Sequence, residues 1–189
     1  MSDVGNYVRK QLSTLNALRD TSGGKAKLAL LRRGAGKVPG EIPELWGAFL
    51  TDIPEKMLSQ NGDPTYGEWA VYLALTLFAV HQQGHADFIH TEGIGLGSAA
   101  SSLMDKPSDE ERERILRRFG PVVTAKDMVG LSYHLRSFIQ LMSSKSIGLD
   151  YVMLAEDIYS FQFLEQKKKV QLKWGQDFYY TKKTEGENE

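Results

Sequence analysis

An all-α fold, a compact helical bundle, is predicted for this chain of 189 residues, and three observations predict it. Apolar residues recur at helical spacing almost throughout, and no segment alternates apolar and polar residues as a half-buried strand does. Ser, Thr or Asp stands ahead of several of these periodic stretches, where a helix needs a cap. With 41% hydrophobic residues and no cysteine, the chain can bury a core, while disulfides, thiolate metal sites and a cysteine nucleophile are excluded. One helical domain over residues 1–183 is expected, with a sub-division near 84–108 into two helical halves as the alternative. Residues 184–189, with three glutamates, are expected to form a disordered acidic tail.

Taken in order, Tyr7, Val8, Leu12, Leu15 and Leu18 make the first apolar stripe, closing at Thr21-Ser22-Gly23-Gly24. Lys25 to Arg33 is a short second helix, and Pro43 sits at the first turn of a third that reaches Leu50. Asn61-Gly62-Asp63-Pro64 is a turn from which Asp63 can cap a long helix, Pro64 to about Gln83. Apolar residues run nearly all round that helix, which marks it as the buried centre. Gly84 to Gly97 is the least regular stretch, and a loop of that length inside a domain is expected to be functional or disordered. A helix follows at Leu96–Met104, and the capping box Ser108-x-x-Glu111 opens a charged helix to Phe119. Thr124-x-x-Asp127 opens the next, through about Met142. Asp150 caps another, with Val152, Met153, Ala155, Ile158 and Tyr159 inward, and the last helix runs from about Gln166 to Tyr180 with Trp174 in the core. The longest apolar run, Ala70 to Val80, is too short to cross a bilayer, and Asp3, Arg9 and Lys10 leave no apolar signal region, so a cytoplasmic location is expected.

The net charge of −1 conceals a segregation. Residues 1–40 hold eight Lys/Arg against two acids, residues 41–110 two against eleven, and residues 111–183 thirteen against eight. One basic face and one acidic face are therefore expected.

Motifs for catalysis are weak. His81 and His85 would share a helical face, with Asp87, His90 or Glu92 to complete a metal sphere, but the glutamate of a metalloprotease helix is missing and Gly84 weakens the helix. Gly34 to Lys37 has neither the spacing nor the preceding strand of a phosphate-binding NTPase loop, and Gly93 to Gly97 lacks the strand of a dinucleotide fingerprint. Glu156-Asp157 could bind magnesium, although isolated carboxylate pairs on helices seldom do. No enzyme activity, cofactor or metal is expected.

Basic residues are more coherent. Arg32 and Arg33 end a helix and run into a loop with Gly34, Gly36, Lys37, Pro39, Gly40 and Pro43, followed by Trp46 as an anchor on its far side. Arginine grips phosphate in bidentate fashion, glycine allows close backbone approach and proline stiffens the loop. The same residues also read as a helix C-terminus with cations on its dipole and glycines as its stop. Arg114, Arg117 and Arg118 share a helical face at i, i+3 and i+4; Lys126 and Arg136 align only loosely; Lys169 and Lys173 share a face of the last helix. Binding by such a surface would be led by the phosphate backbone and depend on salt.

Two blocks carry a family resemblance: Leu31-Arg32-Arg33-Gly34-Ala35-Gly36 with Pro39, Pro43 and Trp46, and His134-Leu135-Arg136, Leu141, Leu149-Asp150-Tyr151, Leu154, Asp157-Ile158, Val170 and Trp174-Gly175-x-Asp177-Phe178-Tyr179. With Arg118-Phe119 between them, the chain from about residue 10 to 180 resembles CasB, the small subunit of the type I-E CRISPR Cascade surveillance complex. Phe161 departs from the pattern by standing where the family usually has Trp. The resemblance implies a non-catalytic helical subunit present in two head-to-tail copies beside the large and backbone subunits. It implies contact with guide RNA and both strands of target DNA, and stabilisation of the R-loop in antiviral defence. The residues expected to meet nucleic acid are Arg32, Arg33, Lys37, Arg114, Arg117, Arg118, Lys126, His134, Arg136, Lys169 and Lys173, with the acids of 41–110 turned to neighbouring subunits or solvent. Two other readings stay open: a helical protein–protein adaptor whose cations only solubilise it, and a metal-dependent nuclease built on His81, His85 and Asp87.

Overall fold

A computed structural model describes residues 2–106 and 108–180. The expected tail at 184–189 lies outside the described residues. Nine α-helices are present among them: α1 (Asp3–Leu18), α2 (Ser22–Gly34), α3 (Trp46–Phe49), α4 (Tyr66–His81), α5 (Leu96–Ser101), α6 (Asp109–Val123), α7 (Met128–Ser144), α8 (Tyr151–Phe161) and α9 (Leu164–Tyr179). Among the described residues there is no strand, and one isolated parallel bridge joins His90 to Leu149.

α4 is the centre, as its all-round apolar pattern predicts. Every residue from Ala70 to Ala79 is buried, and α1, α2, α7 and α8 pack about it. α9 lies on α5 and α8, and α6 on α7. The buried side chains form one contiguous cluster from Val4 to Phe178. Trp174 is fully buried, and Phe161 stacks on it with ring centroids 5.7 Å apart, so an aromatic fills the core at the position where the sequence departs from the family pattern.

Several helix starts differ from the sequence reading, each for a local reason. Thr65, not Asp63, caps α4: Thr65 Oγ1 accepts from Glu68 N at 3.0 Å, and Glu68 Oε2 accepts from Thr65 N at 2.8 Å. Thr21 caps α2, so the Ser22-Gly23-Gly24 run is its first turn and the helix starts ahead of Lys25. Asp127, not Thr124, caps α7 through Gly130 N at 2.8 Å. α6 runs on through Pro121 to Val123, so only the backbone donor to the carbonyl four residues back, at Arg117, is lost near the helix end. Pro43–Leu45 is a 3₁₀ turn, and Trp46 after it is half exposed, its Nε1 donating to Gly40 O at 3.2 Å.

The irregular Gly84–Gly97 stretch is tied to the α7–α8 junction. Thr91 N donates to Leu149 O, Gly93 N to Asp150 Oδ2 at 2.8 Å and Tyr151 N to His90 Nδ1 at 3.1 Å. Asp150 also caps α8, accepting from Val152 N and Met153 N. Its work among the described residues is structural.

Candidate nucleic-acid interface

α6 and α7 lie side by side because their apolar stripes face each other. Ile115, Phe119 and Val122 of α6 and Leu131, Leu135, Phe138 and Met142 of α7 are buried, and Phe119 stacks on Phe138 with centroids 5.1 Å apart. The stripes leave arginines outside. Along the solvent side of the seam run two adjoining depressions that share Arg117, Pro121 and His134. The first is completed by Arg118, Tyr133, Ser137, Phe138 and Leu141, and no carboxylate lines it. The second reaches Lys126 and Asp127, whose carboxylate is occupied in capping α7.

Four of the sequence-predicted residues, Arg117, Arg118, Lys126 and His134, are thus brought together. Arg118 and Lys126 have no ion-pair partner among the described residues, and Arg117 has only Glu113 at 3.9 Å. Arg114 continues the stripe one turn earlier, held by Glu111 at 2.8 Å.

A second group gathers at the end of α2. Arg136 Nη1 donates to Ala35 O at 3.0 Å, joining α7 to the segment in which Arg32 and Arg33 form the last turn of α2 and Lys37 follows in the loop. Here two of the acids expected to face elsewhere lie on the basic loop itself. Lys37 Nζ is 2.7 Å from Glu41 Oε1, and Arg33 Nη2 is 3.7 Å from Glu44 Oε1. The hydrogen bond from Lys37, with a second from Val38 N, holds the Glu41 carboxyl below the usual range. Gly34, expected to admit a partner, instead admits the core: a Cβ there would stand 2.8 Å from Tyr72 Oη and Leu45 Cδ1. Gly36 and Gly40, with φ of 85° and 91°, give the loop its left-handed bends.

Lys169 is exposed on α9 but lines neither depression, and Lys173 turns inward to Asp157, 2.8 and 3.1 Å from its two oxygens. Lys167, which sequence reasoning passed over, donates to Ala125 O at the end of α6 and lies 4.5 Å over the Phe161 ring. Tyr133 was also missed. It is 70% exposed in the seam, and the signal was present, since the buried stripe through Leu131, Leu135 and Phe138 leaves position 133 outside.

Histidines singled out for a metal are otherwise engaged. His81 is fully buried with Nδ1 2.9 Å from Tyr151 Oη, and His85 Nε2 is 3.0 Å from Ser143 Oγ. Among the described residues no three His, Cys, Asp or Glu side chains stand together as a metal site would need. Asp157 is held by Lys173 and Trp174, and Glu156 accepts from Ser2 N and Oγ, so the two carboxylates do not act as a pair. No described helix is long and apolar enough to cross a membrane.

Fold and seam together define an all-helical protein that presents a cationic groove. Residues 27–179 match the family described as CRISPR-associated protein Cse2. Among solved structures, CasB from Thermobifida fusca is 32% identical, with 95% of this chain and 99% of that chain covered and a TM-score of 0.79. A CRISPR-associated protein of the Cse2 family from Thermus thermophilus shares the fold at 22% identity, 91% and 97% coverage and a TM-score of 0.68. No curated protein matches. The chain belongs to the Cse2 (CasB) family of CRISPR-associated proteins, the family its sequence resembles.

Proposed function

We propose that this chain is a non-catalytic small subunit of a type I-E Cascade complex in the cytoplasm, and that its α6–α7 seam holds nucleic-acid backbone. The observation that carries the reading is the meeting of Arg117, Arg118, Lys126 and His134 along one seam of a Cse2-family fold. Arginine at such a seam suits phosphate, and a seam of cations without a base-reading element binds by charge and shape. That suffices in a guided complex, where pairing with the guide reads the sequence and R-loop exchange is near balance, so a few added phosphate contacts tip it. The Arg32, Arg33, Lys37 and Arg136 group is a second contact in this reading, weakened by Glu41 and Glu44. Guide RNA, both target strands, the large and backbone subunits and a second copy of the chain are the partners. A tagged pull-down from native cells, with sequencing of bound RNA, tests the assignment. Repeat-derived guide RNA with other CRISPR subunits is expected; protein recovered without RNA overturns it in favour of an adaptor.

A further inference from the structure

The seam contains an aromatic that phosphate binding does not use. Tyr133 is 70% exposed, and its ring meets the His134 ring edge-on at 5.3 Å. A lone exposed aromatic is ordinary on a protein surface. Tyr133 differs in its surroundings. It lines the depression with Arg117 and Arg118, which no carboxylate enters, and it lies one helical turn from Arg136, the link to the second basic group. Its ring is therefore open to water beside the arginines of that depression. A phosphodiester held by those arginines would bring its own base to that ring.

We infer that Tyr133, backed by His134, is a base-stacking station, and that the seam takes a single strand with an unpaired base laid on the Tyr133 ring. The inference rests on the nucleic-acid reading of the seam and adds a base contact to it. A paired base inside a duplex offers no free face, so the station selects single strands over duplex of the same charge. Stacking tolerates every base, since each has a π-face, and selection is by strandedness and not by sequence. The ring also makes the contact without the phenol oxygen, so phenylalanine serves as well as tyrosine.

The test uses the full chain and a fluorescent single-stranded DNA of mixed sequence, beside a strand of equal length built from abasic units. Tyr133→Ala is expected to weaken the intact strand by about fivefold or more and to leave the abasic strand unchanged, while Tyr133→Phe stays near wild type on both. Arg117→Ala with Arg118→Ala is expected to weaken both strands alike. Equal loss on both strands for Tyr133→Ala, or loss for Tyr133→Phe, overturns stacking. An unchanged intact-strand affinity for Tyr133→Ala, with the arginine variant impaired, overturns stacking while the phosphate reading stands. Failure of the wild type to bind either strand at low salt overturns both.

Discussion

Lys173 Nζ lies 2.8 Å from Asp157 Oδ1, and Trp174 Nε1 donates to Asp157 Oδ2 at 2.7 Å, so one carboxylate fastens α9 to α8. Burial pushes the Asp157 carboxyl up, against the downward pull of Lys173 and Trp174. Asp157→Ala strands the buried indole N–H and is expected to cost about 2 kcal/mol in denaturant unfolding. Asp157→Asn keeps an acceptor for Trp174 and costs less. Lys173→Ala lowers stability too, by less than a fully buried pair would lose, because its side chain is 40% exposed and water reaches the site. Nucleic-acid affinity of the folded Lys173→Ala protein is expected to change less than about twofold, which separates Lys173 from the seam residues.

Gly97 is required by the crossing of α5 and α9. A Cβ there would press on the carbonyl oxygen of Trp174, which is backbone and cannot rotate away. Gly97→Ala is expected to destabilise by about 1–3 kcal/mol, read as a lower midpoint at unchanged slope in urea. Gly47→Ala, where a Cβ meets nothing within 4 Å, is the control and stays near wild type.

His81 sets an acid limit. Burial first, then the neighbouring His85, lower its pKa to about 4. The unfolded chain takes up a proton near pH 6.5 that the folded chain refuses until about pH 4. The stability from neutral His81 is therefore complete above 6.5 and is lost as pH falls toward 4. It amounts to something on the order of 3 kcal/mol. Unfolding free energies measured from pH 7.5 down to 4.5 are expected to fall less steeply in His81→Gln than in wild type.

Glu41 and Glu44 sit on Lys37 and Arg33, in exposed pairs that contribute little to stability. Glu41→Gln with Glu44→Gln is expected to release both cations, tightening single-stranded DNA binding severalfold at low salt while shifting the unfolding midpoint little. Weaker binding in that variant would remove the α2 loop from the contact surface.

The fold was legible because periodicity reports burial directly. α4 reads as central from Ala70 to Val80 alone, and Asp150 reads as a cap from its place before an apolar stripe. Helix starts were less legible where two candidate caps stand close together, as Asp63 and Thr65 do, and only the reciprocal bond of Glu68 decides between them. Arg114, Arg117 and Arg118 could be placed on one face from their spacing, since that depends on a single helix. That His134 and Lys126 join them, while Lys173 turns to Asp157, depends on how helices pack. Charge counts in the sequence cannot tell a phosphate-facing lysine from one facing a buried carboxylate.

The α6–α7 seam carries the proposed function, and the salt dependence of single-stranded DNA binding tests it most directly. Each phosphate contact adds about 0.7 to the slope of log affinity against log salt on a single strand. Arg117→Ala with Arg118→Ala is expected to weaken binding and flatten that slope by about one to one and a half units, with the unfolding midpoint unchanged. A variant that binds as tightly as wild type, with the same slope, would contradict the seam as the nucleic-acid surface.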